Sequence, residues 1–169
     1  MVSSNLNSAR ILRLVSISPG IHLREIERLL NLSLHSVRYH VDLLAKTGLI
    51  VCDKEKRYSR VFLPSTSERD IVLYSYLRVN SARRIISALV SNHSLSNKEI
   101  CQLTGLAKST VSEAIQEFLE TNTVAFEISD LGIKVRLQDA LHVAQLIDNL
   151  GPTLNSNDVV ERFADLWDF

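Results

Sequence analysis

Apolar residues recur along this chain at helical spacing, in short stretches divided by polar turns. Ile11, Leu14 and Val15 stand at i, i+3 and i+4 and predict one buried stripe on a first helix. Pro19-Gly20 ends that helix and turns the chain. Ile26, Leu29 and Leu30 predict a short second helix that Asn31 breaks. Ser33 is a fitting N-cap for a third helix, whose Val37, Val41 and Leu44 face inward. Gly48 falls where a left-handed residue closes a helix. Two β-prone runs follow, at 49–52 and 58–63, around the polar tip Asp53-Lys54-Glu55-Lys56, and Pro64 stops the second.

The same pattern returns 74 residues later without a gap. Ile11, Leu14 and Val15 align with Ile85, Ala88 and Leu89; Ile21, Ile26, Leu29 and Leu32 align with Leu95, Ile100, Leu103 and Leu106. Val37, Val41, Leu44 and Ile50 align with Val111, Ile115, Phe118 and Val124, and three polar pairs coincide as well: Arg10/Arg84, Glu25/Glu99 and Thr47/Thr121. So long an ungapped coincidence predicts two copies of one unit. In the second copy Ser96-Asn97-Lys98-Glu99 reads as a capping box, Gly105 as a tight turn, and residues 124–128 and 133–137 as a hairpin around 129–132.

Between the copies, residues 68–79 are apolar nearly all round. They read as a connecting helix, with a strand as the alternative. After the second hairpin Asp139 caps a helix over 140–150, which Gly151-Pro152 ends. A last helix at about 157–167 carries Val159, Val160, Phe163, Leu166 and Trp167. The expected organisation is a first domain at 1–64, a connecting helix at 65–79, a second domain at 80–137 and an acidic helical tail at 138–169. The fold class is mainly α with small β-hairpin wings (α+β): two tandem winged helix-turn-helix domains plus C-terminal helices.

Charge sharpens this picture. The chain holds 19 basic and 19 acidic side chains, but they are segregated. Residues 1–64 carry ten bases against five acids, residues 65–137 balance, and residues 138–169 carry one base against six acids. The first third is therefore where a polyanion should bind. Once the core positions of the third helix are set aside, His35, Ser36, Arg38, Tyr39 and His40 remain to face outward. Arg38 can reach guanine O6/N7 or a phosphate, and Ser36 and His35 can donate to phosphates. Lys54, Lys56, Arg57 and Arg60 on the hairpin make a phosphate clamp. Such a third helix enters the major groove of double-stranded DNA with its N-terminal residues at the base edges.

These residues carry a resemblance. Pro19-Gly20-Ile21-His22-Leu23-Arg24-Glu25-Ile26, Ser36-Val37-Arg38-Tyr39-His40-Val41, Gly48-Leu49-Ile50 and Arg57-Tyr58-Ser59-Arg60-Val61-Phe62 resemble archaeal winged-helix transcriptional regulators related to the ArsR and MarR groups, in a subgroup with two tandem winged helices. The resemblance covers residues 8–137. It implies sequence-specific DNA binding as a homodimer on a two-fold site, through the third helix and wing.

The second copy departs from a DNA reader. Lys108, Ser109, Thr110 and Ser112 could touch DNA, but Glu113, Glu117 and Glu120 share that helix, Asp130 sits at the wing tip, and Ala107 replaces the N-cap Ser33. It reads as a structural or dimerising unit, with a second DNA-binding head as the alternative. Phe163, Leu166 and Trp167 must be covered, by a second subunit in a homodimer or by the chain's own second domain.

Other chemistry finds little support. No phosphate-binding glycine loop, zinc-protease helix or nucleophile elbow occurs, so neither an enzyme nor a cofactor is expected. His35 and His40 do not share a helical face, and Cys52 and Cys101 lack metal-ligand neighbours, so no metal site is expected. Cys52 reads as a wing-strand residue, Cys101 as a half-buried helix residue, His142 as a surface or packing residue and His22 as the start of the second helix. With no apolar stretch long enough to span a bilayer and no basic residue before Arg10 to start a signal peptide, a cytoplasmic protein is expected. The rival reading is a tandem winged-helix adaptor that binds protein rather than DNA, which the acidic second half favours.

Overall fold

A computed structural model describes residues 2–53, 60–130 and 132–150. The elements run α1 (Val2–Ile17), β1 (Ile21–His22), α2 (Leu23–Leu30), α3 (Leu34–Lys46), β2 (Val51–Asp53), β3 (Arg60–Phe62), α4 (Glu68–Leu77), α5 (Asn80–Ser91), α6 (Asn97–Thr104), α7 (Lys108–Glu120), β4 (Val124–Ser129), β5 (Gly132–Leu137) and α8 (Ala140–Leu150). They form two compact units, one of the described residues up to Tyr74 and one of Ser75–Asn149, so the division falls within α4. The connecting segment is a helix and not a strand. Its start is held by Ser67, whose Oγ accepts from the Asp70 N–H at 3.1 Å.

In the first unit α1 and α2 pack on α3. The predicted inward stripes meet there: Ile11, Leu14, Val15, Ile26, Leu30, Val37, Val41 and Leu44 are all buried in one core, joined by Ile21, Ile50 and Val61 from the sheet side. Removing each such side chain from water contributes about 1.5–3 kcal/mol. The sheet is antiparallel in the order β1-β3-β2, with Ile21 opposite Val61 and Cys52 opposite the same residue on the other side. Tyr74 of α4 lies against Phe62, ring centroids 6.5 Å apart.

The second unit has the same order of elements. Its hairpin pairs Val124 with Leu137 through to Ser129 with Gly132, and Leu95 bridges Val135. Tyr76 packs edge-on against Phe118 at 4.7 Å and donates from its hydroxyl to the Thr121 Oγ1 at 3.2 Å.

The shift of 74 residues holds down to single bonds. Helices α2 and α6, and α3 and α7, begin and end at equivalent residues. The Leu95–Val135 bridge is the counterpart of Ile21–Val61. Each shared polar pair has one duty in both units. Arg10 donates to the last carbonyl of α2, Leu30 O, as Arg84 does to the last of α6, Thr104 O. Glu25 and Glu99 close capping boxes, accepting from the backbone N–H of His22 at 3.3 Å and of Ser96 at 2.7 Å. Thr47 and Thr121 each bond back to the last turn of their helix. Asn31 and Gly105 both take left-handed backbone at φ 51° and 65°, and Gly48 and Asn122 do so at 71° and 54°. Helix ends, more than core volume, are what the two copies hold in common.

Candidate nucleic-acid interface

Two side chains set the start of α3. Ser33 Oγ accepts from the Ser36 N–H at 3.2 Å, as expected of an N-cap, and Glu27 of α2 accepts from the Leu34 N–H at 3.1 Å. The helix-turn-helix angle is thus fixed by bonds at the first turn of the helix. From there His35, Arg38 and Tyr39 share one exposed face, and Tyr39 is 58% exposed. Ser36 stands beside them, half-buried.

His40 does not join this face. It is 4% exposed, and its Nδ1 lies 3.0 Å from Ser8 Oγ of α1. The expectation that it reaches DNA is corrected: position 40 follows Val37 by three residues and turns into the α1–α3 packing. The repeat supplies the signal that was missed, because the equivalents of Ser8 and His40 are Ala82 and Ala114. A hydrogen-bonded polar pair in one unit stands where the other has two small apolar residues.

Two further residues lie on the outer face. Asp42 and Lys46, one and two turns beyond Arg38, are both exposed. Their spacing of four makes them legible from sequence. The face of α3 carries net charge +1, and a carboxylate sits in its middle.

On the wing, Lys54, Lys56 and Arg57 lie outside the described residues, as do Phe163, Leu166 and Trp167 and the helix predicted over 157–167. Arg60 departs from its expected place as a free phosphate ligand. Its Nη1 donates to the Gly20 carbonyl at 3.0 Å, and it pairs across the sheet with Asp53 and His22. Burial pulls its pKa down, while Glu25 and Asp53 pull it up. The equivalent Lys134 lies 4.0 Å from Glu99, so this basic residue stands by the helix-capping glutamate in both units. Its work is to tie the hairpin to the body of the unit.

His22 is the N-cap of α2, its Nδ1 accepting from the Arg24 N–H at 3.1 Å. Burial, then the nearby Arg60 charge, lowers its pKa, with Glu25 opposing. A neutral ring suits the role, since protonation of Nδ1 would convert the acceptor into a donor.

The outer face of α7 is different. Lys108, Ser109 and Ser112 are exposed and Thr110 is half-buried, so the predicted set shares the start of one helix. Glu113 and Glu120 are exposed too, and the helix carries net charge −2. Ala107 makes no side-chain cap. Cys101 stands where Glu27 does in the first unit, so α7 lacks both acceptors that anchor α3.

The second hairpin carries a feature that its sequence alone left unnoticed. Phe126, Ile128 and Ile133 lie on one face and are 55%, 81% and 62% exposed. The same face runs inward to the buried Val124, Val135 and Leu137. Alternation along both strands puts Glu127 and Lys134 on the other side, where Glu127 Oε1 lies 3.8 Å from His93. This wing therefore offers an apolar ladder where a phosphate clamp would need bases.

No helix of the described residues is long and apolar enough to cross a membrane, and no group of three His, Cys, Asp or Glu among them could hold a metal ion. Residues 80–124 match a family model described as winged helix-turn-helix DNA-binding. The match spans α5, α6, α7 and the first residue of β4, about a quarter of the chain. A comparison with curated proteins found no match. The helices and hairpins, together with this match, make the chain a mainly α winged-helix protein with a DNA-binding domain of helix-turn-helix type at residues 80–124.

Proposed function

We propose that the chain is a sequence-specific DNA-binding transcriptional regulator with two winged helix-turn-helix domains in tandem, in which the first domain is the reading head. One observation carries this reading. The matched region and the first unit share element boundaries, capping glutamates, left-handed helix ends and an arginine on the first helix that bonds the end of the second, all at one offset. This internal equivalence supports reading the first unit as a second copy of the winged helix-turn-helix matched at residues 80–124. Of the two third helices, it is α3 that presents an arginine and an aromatic ring to solvent, on the basic third of the chain. Arg38 would meet base edges, His35 and Ser36 the flanking phosphates, and Lys54, Lys56 and Arg57 the backbone beside the groove. A two-fold DNA site calls for a homodimer, to which Phe163, Leu166 and Trp167 would contribute a contact.

The test is selection of duplex fragments from a pool by the full-length protein over a salt series, wild type beside Arg38→Ala. The expected result is salt-sensitive enrichment of a few fragments by wild type and loss of that enrichment in the variant. Folded protein that retains no duplex at low salt would overturn the reading.

The exposed apolar ladder of the second hairpin favours a second reading, in which that unit binds protein. It is compatible with a DNA-reading first unit. It replaces the main proposal only if the fragment selection fails.

A further inference from the structure

A cleft of about 400 Å³ opens between α5 and α6 of the second unit, lined among others by Arg83, Arg84, Ala88, Ser91, Leu103 and Thr104. That size is in the range of small-molecule sites. The internal repeat shows how it arises. The equivalents of Ala88, Ser91 and Thr104 in the first unit are Leu14, Ile17 and Leu30. Leu14 and Leu30 are buried there, and Ile17 packs on the same core. Smaller side chains thus line the cleft at three positions where the first unit has branched apolar ones. The charge has a different place rather than a different size: Arg83 stands where the first unit has Ala9, and Ser87, also on the lining, stands where it has Arg13.

Arg84 donates to Thr104 O at the floor. Arg83 bonds Leu77 O and Asn80 Oδ1, each at 3.3 Å, and a guanidinium has five donors. No carboxylate lines the cleft among the described residues. Leu103, 60% exposed, and Ala88 provide an apolar wall. We propose that this cleft binds a small organic carboxylate, its carboxylate held by the Arg83 and Arg84 guanidinium groups and its apolar body laid against Leu103 and Ala88. Planar donor forks match a carboxylate in a two-point contact, and the apolar wall selects against inorganic anions. The site lies within the second unit, on α5 and α6, and its existence does not depend on DNA binding by α3.

Benzoate and hexanoate serve as probes in titrations of the ¹⁵N-labelled full chain, with neutral benzamide and inorganic phosphate as comparisons. Millimolar benzoate or hexanoate should shift amides in residues 83–92 and 101–106, and benzamide and phosphate should bind at least about tenfold more weakly, the worth of one charge-assisted hydrogen bond. Arg83→Ala, which copies Ala9, should weaken the carboxylate by a similar factor. Ala88→Leu, which copies Leu14, should abolish the shifts while leaving the rest of the spectrum in place. If Ala88→Leu proves unfolded, Arg83→Ala, at a half-buried position, still decides the matter. Equal binding of benzoate and benzamide, shifts scattered over the surface, undiminished binding by Arg83→Ala, or no shift with either carboxylate would each overturn the proposal.

Discussion

Helices α3 and α7 are equal in length, begin at equivalent residues and close on a threonine bonded to the preceding turn, yet their outer faces carry net charges of +1 and −2. Their inner faces hold Val37, Val41 and Leu44 against Val111, Ile115 and Phe118, all buried. The two units share what folds them and differ in what faces their surroundings. The hairpins separate the same way, with bases in the sequence of the first wing and an exposed apolar ladder on the second. The lesson is that a shared fold does not give the two units a shared partner.

Substitutions can be chosen that act on one unit and spare the other. The largest effect belongs to the core. Phe118→Ala should cost about 3–5 kcal/mol, as loss of a large buried ring does, read from urea unfolding. Hydrogen exchange should localise the lost protection to Ser75–Asn149, and equal loss up to Tyr74 would contradict the division into two units.

The helix starts come next. Ser33→Ala should cost about 1 kcal/mol, and Ala107→Ser, which rebuilds the missing cap, should gain about 0.5–1 kcal/mol by the same measurement. A null result for both would mean that Glu27 alone positions α3 and that α7 needs no side-chain acceptor.

On the wing, Lys56→Ala and Arg57→Ala should weaken binding to all duplexes alike. Each should lower the slope of log affinity against log salt by about 1. An unchanged slope would remove the first wing from the interface and leave α3 alone.

The smallest effect concerns pH. The folded pKa of His22 lies below its unfolded value, so the unfolded chain binds the extra proton first. The stability that His22 contributes is therefore present above the ordinary histidine pKa and is lost as pH falls from there toward the lowered folded value. His22→Ser, which copies Ser96, should flatten this dependence in denaturation curves taken at mildly acidic pH. A curve of unchanged slope would assign the pH response to another group.

Much of the fold was legible because helix ends and inward stripes are written locally. Asn31, Ser33, Gly48, Ser96, Gly105 and Asp139 all stand at helix ends in the structure, and the Asp139 carboxylate accepts from the His142 N–H at 3.1 Å. The surface was harder to read. Whether a residue next to an inward stripe turns outward depends on what faces it across the core. Ser8 is what draws His40 in, and a partner 32 residues away is invisible to periodicity. Arg60 looked like a wing base because the Gly20 carbonyl that holds it lies 40 residues earlier. The ladder of Phe126, Ile128 and Ile133 reads as ordinary strand alternation. Only the fold shows that the core ends at Val124, Val135 and Leu137 and that the strands run on past it.

Affinity for a selected duplex and for an unrelated one, measured with wild type, Arg38→Ala and Lys108→Ala side by side, decides whether the first unit reads DNA. The account predicts that Arg38→Ala loses about 1–3 kcal/mol on the selected duplex and little on the unrelated one, while Lys108→Ala stays near wild type on both. Full specific affinity in Arg38→Ala together with a loss in Lys108→Ala would contradict it and move the reading head to α7.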